Sequence, residues 1–405
     1  MPETSEATDA VIGRAAPIFS LPDCARKYSK PCFDPQLMAI LWLRHLVSLS
    51  LFAILLSQSE AAAAQESKWR DAKDFEIEGK GWADTAAPYD RLPASAKGRV
   101  NDTAFRMSKS SAGICVRFVT NASTIETSWT LTSDALDMPH MPATGVSGLD
   151  LYARASDGNW RFIGNGRPNK QVNQAKFEIP ETFASPRECL LYLPLYNGVK
   201  AVEIKAPGDS TLQAPPPRPT HKRQPLVVYG TSIAQGGCAS RPGMVWTSIL
   251  GRLLDRPVIN LGFSGSGDMQ SPVGEVLAEL DPAVYIIDCI WNMGDLSQED
   301  ESRRVSGLVQ AIRKQHPLTP IVFVGQSNFR PEAHPTKFSL KQEAAVLALQ
   351  NQGVKGLETV AGNDLIGDDG EATVDGVHLT DIGMERQARA LAPVIEKLLA
   401  DPVGQ

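Results

Sequence analysis

The sequence predicts two domains of different class, an all-β sandwich of jelly-roll type followed by a three-layer α/β/α domain built on a parallel sheet. Three observations carry this reading. Residues 69–213 are short alternating or β-branched runs split by turn residues, without a helical period. Residues 225–400 alternate apolar strand-like runs with helical stretches. Between them stands Ala214-Pro215-Pro216-Pro217-Arg218-Pro219, a run that neither a helix interior nor a central strand tolerates, so 214–224 reads as a stiff connector. At 405 residues the chain has room for about two domains of ordinary size.

Near the N-terminus, Met38 opens an ordered set of features: Arg44 and His45, the apolar run Leu46 to Leu56, then Ser57 to Glu60 and Ala61 to Ala64. A basic start, an apolar run too short to span a bilayer and a small-residue cleavage site describe a secretory signal over 38–64. The expected protein is therefore exported to the periplasm, cell surface or medium, with no stable membrane insertion after cleavage. A signal normally begins at its own methionine, so residues 1–37, polar and rich in Pro and Ser, read as an extension upstream of the real start or as disorder. A membrane anchor with a short tail is the alternative. The formal charge of −6 offers no electrostatic footprint for nucleic acid or an anionic surface. Of six cysteines, Cys24 and Cys32 lie in the extension; Cys115, Cys189, Cys238 and Cys289 match no zinc spacing and read as buried thiols, with one disulfide open to the exported chain.

In the β region, Gly113 to Thr120, Ser123 to Leu131, Leu149 to Ala155, Trp160 to Ile163 and Val199 to Ala206 read as strands, and Asp157-Gly158 as a hairpin turn. Its plainest role is an accessory module, structural or sugar-binding. In the α/β region, strand-like runs at Pro225 to Tyr229, Pro257 to Leu261, Ala283 to Cys289, Pro320 to Val324 and Gly356 to Val360 alternate with helical stretches. The helices fall near Val245 to Leu254, Gly274 to Leu280, Glu299 to Gln315, Leu340 to Gln350 and Met384 to Leu399. Right-handed crossovers of that length give a parallel sheet covered on both faces, flavodoxin-like in outline.

All strands of such a sheet present their carboxyl ends at one edge, so the residues just beyond them can converge. Ser232 follows the first strand, the glycine-rich turn Gly262-Phe263-Ser264-Gly265-Ser266-Gly267 follows the second, and Trp291-Asn292 follows the third. Asp375-Gly376-Val377-His378 precedes the last helix. A hydroxyl, backbone amides, an asparagine side chain and a carboxylate-imidazole pair are the parts that acyl transfer needs. Elimination selects the histidine among six: His45 is in the signal, His221 in the connector, His316 at a helix end before Pro317. His140 and His334 lie in proline-flanked loops without a neighbouring carboxylate to aim them at Ser232. His378 has Asp375 three residues before it, a spacing at which the carboxylate takes the Nδ1 proton and leaves Nε2 for the serine.

Taken in order, these blocks resemble the SGNH (GDSL-type) hydrolase superfamily, in its exported bacterial branch with a β-sandwich before the hydrolase domain. The resemblance covers about 225–400 and implies Ser232 as nucleophile, Asp375 and His378 as acid-base pair, and the Ser232 amide, Gly265 and Asn292 as oxyanion hole; the residues themselves hold no metal-ligand set, and no cofactor is expected. Thr231 stands where that superfamily usually has Asp, and Ile290-Trp291-Asn292-Met293 replaces Gly-x-Asn-Asp, which puts Trp291 at the pocket wall. Arg241 has two open roles, contact to an acidic or hydroxyl-rich substrate or a salt-bridged loop anchor. Asp288, inside an apolar strand, reads as a hydrogen-bonded core acid.

The expected activity is a serine esterase removing short, acetyl-like groups, with an acylated glycan or small ester as substrate and oligomeric state open. No long apolar lid interrupts the hydrolase half, which disfavours an interfacial lipase. A lysophospholipase or thioesterase with the same five residues is the enzyme alternative; an inactive carbohydrate-binding surface protein is the alternative from another class.

Overall fold

The computed structural model describes residues 67–294 and 296–400, which belong to one compact unit. The expected extension, the signal and Cys24 and Cys32 lie outside the described residues. Among the described residues no helix is long and apolar enough to cross a membrane.

The N-terminal region contains β1 (Arg70–Asp71), β2 (Glu76–Glu78), β3 (Cys115–Thr120), β4 (Thr124–Leu131), β5 (Leu149–Arg154), β6 (Trp160–Gly166), β7 (Val172–Glu178), β8 (Arg187–Tyr192), β9 (Val199–Lys205) and β10 (Leu212–Gln213). They pair antiparallel in two sheets, ordered β1-β9-β4-β7 and β10-β3-β8-β5-β6, with β2 also on β3. In β4 the strand period of two buries Ile125, Thr127, Trp129 and Leu131 and leaves the residues between them half-exposed. Inner faces of both sheets supply Phe118, Ile125, Trp129, Leu151, Leu191 and Val202 to one core, which makes the region a sandwich. The hairpin at Asp157-Gly158 joins β5 to β6, with Gly158 at φ +81°. Strands β7 and β8 escape pattern reading for opposite reasons. The edge strand β7 is polar at most positions, whereas β8 is central and buried nearly throughout, so neither shows a clear alternation.

The second region holds β11 (Leu226–Gly230), β12 (Val258–Gly262), β13 (Val284–Asp288), β14 (Ile321–Val324) and β15 (Leu357–Val360), all parallel in the order β12-β11-β13-β14-β15. This is the flavodoxin-like order, and it puts the end of β11 at the switch point where open α/β sheets bind ligands. Helices Trp246–Leu253 and Asp381–Ala400 cover one face; Ser271–Leu277, Gln298–Arg313 and Lys337–Asn351 cover the other.

The two regions share their cores. Leu92, Ala96, Val100 and Ala104 pack with Leu261, Phe263 and Val273 on one face of the parallel sheet, while Ala112, Met141, Val146 and Leu195 pack with Val228, Ile233 and Trp246 on the other. Fully buried Arg91 closes the free edge of β12, donating to the carbonyls of Asn260 (3.1 Å) and Gly262 (2.7 Å) and also to those of Met107 and Ser110. Burial without a carboxylate pushes its guanidinium down to about 9. Loss of those acceptors would cost several kcal/mol, because an unsatisfied buried cation has no other compensation. The proline-rich segment is tied down as well. Its Arg218 is buried, forks onto Glu78 of β2 at 2.6 and 3.0 Å, and reaches Asp255 at 3.2 Å.

Candidate active site

Gly230 ends β11, and Thr231 caps the helical turn Ser232–Gln235 by accepting from the Ile233 amide through Oγ1 at 3.2 Å. Thr231 is fully buried, so the capping oxygen is what this position contributes. Ser232 is thereby held at the carboxyl edge of the sheet, half-exposed, with its Oγ 2.9 Å from His378 Nε2. Across the ring, His378 Nδ1 donates to Asp375 Oδ2 at 2.7 Å. That bond places the proton on Nδ1 and leaves the Nε2 lone pair for the serine hydroxyl. The Asp375 Oδ1 accepts from the backbone amides of His378 (2.8 Å) and Val377 (3.0 Å), so one carboxylate builds the turn and orients the ring it contains. Burial works against its charge, but the bonds from His378 and Val377 outweigh it and hold the carboxyl at about 2. The carboxylate thus stays ionised at any working pH.

The second loop lies on the first. A side chain at Gly267 would meet the Gly230 carbonyl oxygen at 1.9 Å, so only glycine lets the loop rest there. Gly265 turns at φ +70° with open space where a Cβ would stand. Asn292 sits in a short helical turn, Ile290–Asn292, after β13. With the amide orientation that its hydrogen-bond surroundings assign, its side-chain oxygen accepts from the Ser266 and Gly267 amides at 3.2 Å each, which turns its NH2 group away from that loop. Blocks one, two and three are thus in direct contact.

The remaining sequence-selected residues lie differently. Trp291 is half-buried, its indole Nε1 3.5 Å from Ser327 Oγ, and it packs against the same core as Phe329, Val377 and Tyr196. Of the two roles open to Arg241, its contacts are those of the loop anchor. Its guanidinium donates to fully buried Asp150 and to the Tyr152 hydroxyl at 2.7 Å each, and covers the Phe162 ring at 3.8 Å. Asp288 is a buried acid accepting from Gln387 Nε2 at 3.2 Å, and burial pushes it up to about 7. Cys115, Cys189, Cys238 and Cys289 are free and buried. Among the described residues no three His, Cys, Asp or Glu side chains are grouped to share a metal ion.

Several site residues come from places where the sequence gives little warning. Gln235, polar in an apolar turn, is fully buried: its Oε1 accepts from the Ser264 amide (3.0 Å) and its Nε2 donates to Ser110 Oγ and the Leu195 carbonyl. The sandwich supplies Tyr196, whose hydroxyl reaches the Ser232 carbonyl at 3.4 Å, and His140, whose ring lies 6.1 Å from that of His378. Elimination of His140 as the base agrees with the bonds His378 makes, yet its proximity is invisible in a chain where the two stand far apart.

The sequence model of the GDSL-like lipase/acylhydrolase family matches residues 223–396, and that of the N-terminus of SGNH-type esterases, named for the motif GxDLY, matches 67–212. A solved protein from Bacteroides ovatus, described as a GDSL-like lipase, is 31% identical with a TM-score of 0.73, and the alignment covers 83% of this chain and 98% of that one. The chain belongs to the GDSL-like lipase/acylhydrolase family. Membership in this SGNH family makes it a serine ester hydrolase. Two more distant folds span both regions: a salicylyl-acyltransferase from a tetracycline biosynthetic pathway (17% identity, TM-score 0.67, 84% and 100% covered) and a family two carbohydrate esterase from Cellvibrio japonicus (13%, 0.54, 83% and 98%). Among curated proteins no sequence matches significantly. In this SGNH chain the GxDLY motif is Gly148-Leu149-Asp150-Leu151-Tyr152, and its Asp and Tyr are the two partners of Arg241. The motif therefore clamps the loop that follows the nucleophile.

Proposed function

We propose that this protein is an exported serine esterase that removes short, acetyl-like groups from an acylated carbohydrate through an acyl-Ser232 intermediate. The observation that carries the reading is the unbroken relay from Asp375 to His378 to Ser232, with bonds of 2.7 and 2.9 Å. His378 Nε2 takes the hydroxyl proton as Ser232 Oγ attacks the ester carbonyl carbon. The oxyanion is met by the Ser232 and Gly265 amides and the Asn292 NH2 group. Collapse breaks the bond to the alcohol oxygen, which leaves with the proton from His378. Water then attacks the acyl-serine with His378 again as base, releasing the acid and restoring Ser232. Asp375 stays charged throughout and stabilises the imidazolium that forms twice per cycle.

Support for a carbohydrate ester comes from the secretory pattern read over 38–64 and from the sandwich's share in the rim. The family two carbohydrate esterases are proteins of the same fold. Trp291 is assigned to the pocket wall. Ser232→Ala is expected to abolish 4-nitrophenyl acetate hydrolysis and labelling by a fluorophosphonate probe. Retention of the wild-type rate in that variant would remove Ser232 from the nucleophile's role, and an unlabelled wild type would favour an inactive binding protein.

A further inference from the structure

The turn Met138-Pro139-His140-Met141 of the sandwich stands beside the relay, and its construction is more rigid than an exposed loop requires. Met138 and Met141 exchange both backbone hydrogen bonds at 3.0 Å, and Pro139 fixes the first corner. Met141 is buried in the core that the sandwich shares with the hydrolase region. Just beyond it, Thr144 Oγ1 donates to the Ser240 carbonyl at 2.6 Å, and Gly145 packs so tightly on Ala239 that a Cβ would lie 2.3 Å from its carbonyl oxygen. The Gly145 and Val146 carbonyls accept from the Leu195 and Tyr196 amides at 3.2 Å. The turn is thus anchored to both regions, while the side chain at its tip, His140, is exposed and takes no part in the core. Its ring is 6.1 Å from the His378 ring and inclined to it by 36°.

Which side of the substrate lies there follows from proton transfer. The carbonyl oxygen must face the amides of Ser232 and Gly265 and the Asn292 side chain, whereas the alcohol oxygen must come within hydrogen-bond reach of His378 Nε2 to receive its proton. Substituents on that alcohol carbon pass beside the ring next to His378. We infer that His140 is a leaving-group contact, its imidazole hydrogen-bonding the hydroxyls of a polyhydroxy alcohol such as a sugar. Both ring nitrogens suit a hydroxyl, which can donate and accept. The sandwich therefore completes the alcohol subsite, which makes specificity a property of both regions. This inference rests on the serine-esterase reading above.

The test uses the full chain and compares two acetyl esters that differ in the alcohol, with a third ester that keeps the nitrophenyl alcohol and changes the acyl group. kcat/KM is measured for wild type, His140→Ala and His140→Gln on 6-O-acetylglucose, 4-nitrophenyl acetate and 4-nitrophenyl butyrate. His140→Ala is expected to lose about tenfold on the acetylated sugar and to stay within about twofold on both nitrophenyl esters, with His140→Gln recovering most of the loss. The pH-rate profile on 4-nitrophenyl acetate should not move. An equal loss on all three esters, or a shifted profile, would assign His140 an effect on His378 and overturn the inference, as would no loss on the sugar or a wild type inert toward it. Ser232→Ala on 4-nitrophenyl acetate separates the failures: activity there defeats the serine-esterase reading, whatever His140 does.

Discussion

At the scale of single residues, short-range side-chain bonds shape the turns that carry the nucleophile and the base. Thr231 caps the nucleophile's turn with the same kind of oxygen an aspartate would offer, which is why its substitution leaves the geometry whole. Asp375 shapes its own turn and aims His378. Asp288 shows the cost of burying a carboxyl with a single amide partner. Its folded-state value of about 7 lies above the ordinary 3.8, so the folded chain holds a proton that the unfolded chain releases. Stability from this group is complete below about pH 4, declines as the pH rises and is lost above about pH 7. Asp288→Asn stays neutral throughout. It should match wild type at pH 4 and melt about 5 °C higher at pH 8. A thermal-shift series over pH checks this, and a difference independent of pH would contradict it.

At the scale of elements, the loop after the nucleophile is gripped from two sides. Asp150 of β5 accepts from Arg241 Nη1, the Gly243 amide and Asn165 Nδ2, each at 2.7 Å. From the other side, Asp381 opens the last helix and accepts from the Ser240 amide at 2.9 Å. Asp381 stands three residues after His378, so one carboxylate links the nucleophile's loop to the start of the helix that follows the base. Burial pushes the Asp150 carboxyl upward while Arg241, Asn165 and Gly243 pull it back, the signature of a desolvated ion pair that needs all its partners. Asp150→Asn keeps the shape and removes the charge. It should cost about 3 kcal/mol in urea denaturation and lower kcat on 4-nitrophenyl acetate. An unchanged midpoint would show that the clamp contributes no stability.

At the scale of the whole molecule, the sandwich and the α/β region are mechanically one body. Leu92, Ala96, Val100 and Ala104 lie in one core of the parallel sheet, Met141 and Leu195 in the other, and Arg91 seals the sheet's edge. Separating the regions would expose apolar surface on both and strand a buried cation. Calorimetry of the full chain should therefore give one cooperative transition with equal calorimetric and van't Hoff enthalpies. Two resolved transitions would mean that the shared cores do not couple folding.

Sequence by itself determined the class of both regions, the parallel strand-helix alternation and the candidate residues Ser232, Asp375 and His378, with Gly265 and Asn292 added by the family resemblance. Those signals are local: the period of a strand or helix, a glycine turn, and a carboxylate three residues before an imidazole each depend on near neighbours. Only the tertiary structure decided that Arg241 turns to Asp150, that Gln235 ties the second loop to the first, and that His140 stands beside His378. Those pairings join residues far apart along the chain. The Arg241–Asp150 and His140–His378 pairings arise because two regions bury their apolar faces against each other, and that packing leaves no periodic trace in either segment alone.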